Sequence, residues 1–298
     1  MSEFIQQLIN GLSLGSIYAL IALGYTMVYG ILKFINFAHG EIFMLGAFSG
    51  LYLARAFGVD SPDIPMAVVI LILTMMITSV IGVVIEKLAY KPLRKSSKLT
   101  VLITAIGVSL FLQYSGQLLF GADPKSFPEI IENVSFNIFG ATIGSNQIVV
   151  LISAAVLMMT LRFIVMKTKM GIAIRAVSNN LTAASLMGIN INNVISFTFI
   201  IGSSLAGAAG ILYSINYPSI DPLMGLLPGL KAFIAAVLGG IGNFPGASAG
   251  GLIIGLVETF TVGYLSPTYR DAIAFAILII ILLVKPTGLF GKKEVEKV

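Results

Sequence analysis

Uncharged, largely apolar runs follow one another along almost the whole chain. They cover 4–32, 42–54, 64–85, 99–122, 133–161, 176–220, 232–257 and 272–284, and the charged residues collect between them. A helix crosses the hydrocarbon layer of ~30 Å with about 20 apolar residues, so most of these runs predict a span. The 176–220 run is too long for one crossing. Its first part, to about 193, is rich in Asn and Ser and follows a basic stretch, which places the span at 194–215. The 222–265 stretch contains Gly239-Gly240-Ile241-Gly242-Asn243-Phe244-Pro245-Gly246, a string that breaks helices and divides the stretch into spans 225–241 and 247–265. Ser266-Pro267 then opens the last span, Ser as cap and Pro at the first helical position.

With the earlier crossings at 6–32, 40–57, 64–86, 99–120 and 143–165, the expectation is an all-α polytopic membrane protein. It has about nine transmembrane helices, or eight to ten if the short segments 40–57 and 225–241 are re-entrant. No linker, low-complexity segment or clean internal repeat divides the chain, so 1–298 reads as a single membrane domain.

Composition agrees. Of 298 residues 57% are hydrophobic and 10% charged, and the mean hydropathy is +0.99. Soluble domains carry about 25% charged residues, so this chain lacks the polar surface to stay in water. The basic residues form three groups: Lys87, Lys91, Arg94, Lys95 and Lys98; Arg162, Lys167, Lys169 and Arg175; Lys285, Lys292, Lys293 and Lys297. Acidic residues dominate elsewhere, at Glu3, Asp60, Asp63, Asp123, Glu129, Glu132 and Asp221. Positive loops stay on the cytoplasmic side, which predicts an outside N-terminus and a cytoplasmic C-terminus. The same distribution argues against nucleic acid as the partner of the net charge of +5, because that needs a basic face on a soluble fold. Glu3 and the missing basic leader segment predict that the first run is a retained span rather than a cleaved signal.

Catalytic constellations are hard to assemble from these residues. One His and no Cys supply neither a zinc set nor a thiol nucleophile. Gly202-Ser203-Ser204-Leu205-Ala206 has Ala where the nucleophile elbow needs its second Gly. No G-x4-G-K-[ST] phosphate loop occurs, so the chain does not bind ATP in that manner. No metal or cofactor is expected.

Glycines at four-residue spacing recur inside the spans: Gly11 and Gly15, Gly46 and Gly50, Gly242, Gly246 and Gly250, Gly251 and Gly255. Such spacing lets helices approach closely in lipid. Three places carry polar groups at membrane depth, where they are expensive and call for a role. Asn36-Phe37-Ala38-His39-Gly40-Glu41 holds the one His. It reads as a cytoplasmic turn whose Asn36 caps the next helix, as a structural pairing, or as part of a path or gate that includes Asn36, His39 and Glu41. Glu258 reads as the partner of Lys231 or Arg270, or as the wall of a watered cavity. Gln113 in the fourth span can hydrogen-bond between helices, and with Glu258 it joins Asn36, His39 and Glu41 as a candidate for the translocation path or gate.

Residues 170–189 are a half-polar segment in an apolar chain. Ser178, Asn179 and Asn180 are helix starters, Gly188 is a left-handed helix stop, and Ala183, Ala184 and Ser185 between them are small enough for close approach. The charge pattern places this segment, 166–193, on the cytoplasmic face as a docking element for a soluble partner.

Several blocks together resemble a known family. They are Ile35–Ile42, Tyr90–Arg94, Ile106–Gln113, Met170–Ala176, Leu186–Asn190, Gly229–Phe233, Val237–Gly242 and Lys285–Leu289. The chain is similar, in register from first span to tail, to LivH-type permeases of branched-chain amino acid ABC importers. The resemblance implies a multi-pass subunit of a bacterial or archaeal plasma (inner) membrane. Its implied partners are a second related permease, two cytoplasmic ATP-binding subunits and an extracytoplasmic substrate-binding protein. It also implies an ATPase-coupling motif of the form Glu-Ala-Ala-x3-Gly, whose counterpart here is Thr182-Ala183-Ala184-x3-Gly188, with Arg175 just before it and Thr at the acidic position. An importer of urea or amides, or of other amino acids, is the substrate-level alternative. An ion-coupled secondary carrier is the mechanistic one.

Overall fold

The computed structural model describes residues 2–291 except Asp60, Lys95 and Phe139. Lys292, Lys293 and Lys297 of the third basic group therefore lie outside the described residues, as do Asp60 and Lys95. The chain is a helical bundle. In order it forms α1 (Ser2–Leu32), α2 (His39–Ala56), α3 (Ile64–Ile85), α4 (Lys98–Phe120), α5 (Ser145–Lys167), α6 (Lys169–Asn179) and α7 (Leu181–Leu186). There follow α8 (Ile191–Asn216), α9 (Leu226–Gly239), α10 (Phe244–Tyr264) and α11 (Arg270–Val284). Two small antiparallel pairings mark one end of the bundle: β1 (Lys125–Ser126) with β4 (Ser219–Ile220), and the hairpin β2 (Ser135–Ile138) with β3 (Ala141–Gly144). The opposite end carries α6 and α7.

Among the described residues seven helices are long and apolar enough to cross a membrane: α1, α3, α4, α5, α8, α10 and α11 with their flanking turns. The helix bounds fall within a few residues of the predicted ones, because the switch from apolar run to charge marks where lipid ends. The two segments expected to be short are short: α2 has 18 residues and α9 has 14.

α1 and α8 form the centre and are largely buried. α3, α4, α5 and α11 turn apolar side chains outward, among them Met76, Phe111, Phe163 and Leu283. That arrangement suits a lipid surround, in which backbone polar groups must be satisfied within the helices.

The α1–α10 seam shows what the glycine spacing does. A β-carbon on Gly11 would lie 2.9 Å from Leu256 Cα, one on Gly15 would lie 2.8 Å from Leu252 Cα, and Gly251 and Gly255 press on Ala19 and Gly15. Backbone meets backbone there, and dispersion between close-packed main chains supplies the attraction that water would supply elsewhere. Gly246 and Gly250 pack likewise on Gly239 and Ala235 of α9. Gly242 departs from the expectation: its φ is +94° with nothing nearby, so it turns the chain between α9 and α10 rather than packing.

The 170–189 segment is two helices, not one. Thr168 caps α6 by accepting from the Gly171 N–H at 3.1 Å, so Ser178 and Asn179 end that helix instead of starting the next. Asn180 alone caps α7, accepting from the Ala183 N–H at 3.0 Å. α7 ends as expected at Gly188, whose φ is +82°. The Gly188 N–H returns to the Ser185 carbonyl and the Ile189 N–H to the Ala184 carbonyl, a paired closure that needs the left-handed residue.

Candidate functional site

The Asn36–Glu41 block lies inside the bundle. His39 packs into the notch left by Gly24 of α1 and approaches Gly202, which is near the middle of the 26-residue α8. α2 therefore begins about halfway through the bundle, and the connection from Leu32 climbs back inward to reach it. Asn36, His39 and Glu41 are all buried. This burial overturns the reading of a turn at the cytoplasmic surface, and the capping role of Asn36 with it. The residue ahead of α2 is Ala38, without a side-chain cap, and Asn36 Oδ1 instead accepts from the Tyr90 hydroxyl at 2.5 Å.

α9 also begins at this depth. A β-carbon on Gly40 would lie 2.6 Å from the Gly225 carbonyl oxygen, and one on Gly229 would lie 2.9 Å from Gly40 Cα. The first turns of α2 and α9 thus cross in backbone contact and run apart. α2 heads for the strand end, where Gly50 meets Phe127, and α9 heads for the α6–α7 end. Two helix N-termini, each carrying about half a positive charge, meet inside the protein.

Glu41 stands at this meeting. Its Oε1 accepts from the Ser109 hydroxyl of α4 at 3.2 Å. Its Oε2 is buried without a partner, 3.2 Å from where a β-carbon on Gly225 would sit. The His39 ring stands edge-on to Tyr25, centroids 4.8 Å apart, and its Nε2 is likewise buried without a partner.

Towards the strand end lies a second ionic cluster. Glu258 accepts from the Tyr18 hydroxyl at 2.9 Å and from Lys231 Nζ at 2.9 Å, and it also pairs with Arg270. Lys231 lies 2.6 Å from Asp271 as well. Both partners named for Glu258 from sequence are engaged at once. A cleft of about 280 Å³ opens beside them, lined by Tyr18, Asp221, Met224, Leu227, Pro228 and Lys231 among others, so the first turn of α9 is part of its wall. Gln113 is buried within α4.

A third cluster, unforeseen from sequence, ties the α6–α7 end together. Glu86, fully buried, pairs with Arg94 and accepts from the Ser196 hydroxyl at 2.8 Å, while Arg94 reaches Asn192 at 2.6 Å. Arg94 thus serves an internal carboxylate rather than only a basic loop. The available signal was Glu86 itself, an acid at the head of a basic group.

In the 166–193 segment, Thr182, Ala183 and Gly188 are exposed, whereas Ala184 is buried against the body and leaves no surface for a partner to approach. Arg175 is half-buried, and its guanidinium donates to the Val165 carbonyl at the end of α5. Leu186 at the end of α7 and Met187 just after it, 83% and 82% exposed, together with the less exposed Leu181, are apolar side chains turned outward here. Sequence reading passed over them because which face of a six-residue helix turns outward is decided by packing.

The helical bundle and its lipid-suited surface define a polytopic membrane protein. The family described as branched-chain amino acid transport system, permease component, matches residues 7–282, and the chain belongs to that family. It is 45% identical to the high-affinity branched-chain amino acid transport system permease protein LivH of Escherichia coli K12, over 99% of this chain and 98% of that protein. It is 43% identical to BraD of Pseudomonas aeruginosa, described in the same words, with the same coverage. A more distant relative is the ribose import permease protein RbsC of Haemophilus influenzae, 24% identical over 97% of this chain and 87% of that protein.

Proposed function

We propose that this chain is the membrane-spanning subunit of an ATP-driven importer that takes up branched-chain amino acids. The observation that carries the reading is the near-full-length similarity to LivH and BraD, which spans every helix of the bundle. It acts with a second related permease, two separate ATP-binding subunits that hydrolyse the nucleotide, and an extracytoplasmic substrate-binding protein. The complex sits in a bacterial or archaeal plasma (inner) membrane. Nine crossings, N-terminus outside and C-terminus in the cytoplasm, put the α6–α7 end inside, which agrees with the basic residues around it.

ATP-driven motion enters through 166–193. Leu181, Leu186 and Met187 of α7 and its C-terminus offer an apolar knob to a groove on the ATPase, while the exposed Thr182 and Ala183 line the rest of the contact. Ala184, Gly188 and Arg175 hold the segment in shape, by packing, by closing α7 and by tying α6 to α5. A ligand or partner shifts a conformational equilibrium only by its differential affinity for the two states. Docking therefore has to differ between the open and closed ATPase pair. The path runs past the α2–α9 crossing, with Asn36, His39 and Glu41 at its closed point, and Gln113 and Glu258 fixing the surrounding helices.

The test is uptake of labelled leucine into proteoliposomes holding the complete complex. ATP-dependent uptake that needs the binding protein supports the reading. Uptake of urea or an amide in place of leucine supports the alternative substrate. One observation also favours an ion-coupled carrier: helices that break at mid-depth are a feature of such proteins. Uptake by the chain alone, without ATP, would establish it.

A further inference from the structure

Glu41 is 1% exposed, and one of its carboxylate oxygens has no partner. A buried carboxylate with an idle oxygen costs several kcal/mol unless something balances it. The first turns of α2 and α9 do part of this. Glu41 sits in the first turn of α2, and its free Oε2 lies beside Gly225, the residue ahead of α9. Both positive helix ends therefore face the carboxylate. They stabilise the charge without occupying the oxygen.

Gly225 lets the α9 turn approach that oxygen, since a β-carbon there would collide with the Gly40 carbonyl and crowd Oε2 at 3.2 Å. On the other side of the same turn, Met224, Leu227 and Pro228 line the cleft that opens towards the strand end. One turn of backbone thus separates an idle buried acceptor from an open cleft of amino-acid size.

Resting on the proposed function, we propose that Glu41 accepts the ammonium group of the amino-acid substrate as the α2–α9 crossing opens. The cation replaces the missing partner of Oε2, and the substrate carboxylate faces the two positive helix ends. No covalent step is involved. Only a molecule carrying both charges matches both elements. The site therefore selects α-amino acids and disfavours neutral amides and urea, which bring no cation to Glu41. The apolar residues Met224 and Leu227 in the adjacent wall suit an aliphatic side chain.

The experiment compares the complete importer with its Glu41→Gln variant, measuring leucine uptake in proteoliposomes and the melting temperature of the same preparations. Gln keeps the shape and the bond to Ser109 but offers no negative charge. The expected result is at least a tenfold loss of leucine uptake by a complex that assembles and melts within a few degrees of the unaltered one. Uptake within twofold of the unaltered complex overturns the inference. So does a loss of uptake accompanied by failed assembly or a melting temperature well below that of the unaltered complex, which would make Glu41 a structural residue. A second arm uses the unaltered complex and so does not depend on the variant folding. Dicyclohexylcarbodiimide modifies buried carboxyl groups, and labelling of Glu41, read by mass spectrometry, is expected to slow at least threefold during leucine transport. Equal labelling with and without leucine overturns the inference. An unaltered complex that imports no amino acid contradicts the proposed function and removes the ground for this one, a result distinct from a Glu41→Gln complex that imports normally.

Discussion

Glu258 and Glu41 are equally buried, each 1% exposed, yet their surroundings are opposite. Glu258 is surrounded by a hydroxyl, an ammonium and a guanidinium, from Tyr18, Lys231 and Arg270. Glu41 has one hydroxyl from Ser109 and one idle oxygen. Burial alone would have ranked them together as intramembrane carboxylates with a presumed role in transport. The partners separate them. A satisfied carboxylate binds α1, α9, α10 and α11 together, and an unsatisfied one beside two helix ends waits for a ligand.

Several substitutions break or sharpen this contrast. The largest effect is expected from Glu258→Ala, which removes the buried carboxylate shared by Lys231 and the half-buried Arg270 and leaves Lys231 only the more exposed Asp271. Removing one partner of a buried pair costs about 3–5 kcal/mol, and the check is a large fall in melting temperature of the purified subunit. Gly225→Val is expected to come next. Its side chain has to displace the Gly40 carbonyl and the Glu41 carboxylate, an overpacking cost of about 1–3 kcal/mol, and leucine uptake should be lost even where the protein still inserts. Replacing Leu186 and Met187 together by Ser removes exposed apolar surface, so stability should stay within about 0.5 kcal/mol. Co-purification of the ATPase subunits and uptake should both drop sharply. The smallest effect belongs to Ser109→Ala. It deletes one hydrogen bond to a carboxylate, about 1.5–3 kcal/mol at most, and less here because the bond is long at 3.2 Å. A modest rise in the leucine concentration giving half-maximal uptake would report it.

Much of the bundle was legible in the chain because lipid imposes a simple rule. α3 begins at Ile64 and ends at Ile85 where the uncharged run does. The Gly11–Gly15 and Gly251–Gly255 spacings found each other across α1 and α10 because only main chains that close can make that seam. Glu258 and its two cations were legible for a similar reason: few charges lie at membrane depth, so few pairings exist. The start of α2 was not. A short loop at the membrane surface and one that climbs back inside look alike in sequence, and only the contact of His39 with Gly24 and Gly202 reveals the depth. Glu86 and Arg94 were missed because the π-turn of Glu86–Tyr90 and the 3-10 turn after it bring them together off any regular helical spacing. Ala184 and Leu186 exchanged roles because composition cannot say which side of α7 faces the body.

The contrast between the two carboxylates is tested most directly by melting temperature and ATP-dependent leucine uptake, measured on the same preparations of Glu41→Gln and Glu258→Gln complexes. Glu41→Gln is expected to melt within a few degrees of the unaltered complex while importing at least tenfold less leucine, and Glu258→Gln to melt well below it. Equal destabilisation by both substitutions, or full leucine uptake by the Glu41→Gln complex, would contradict it.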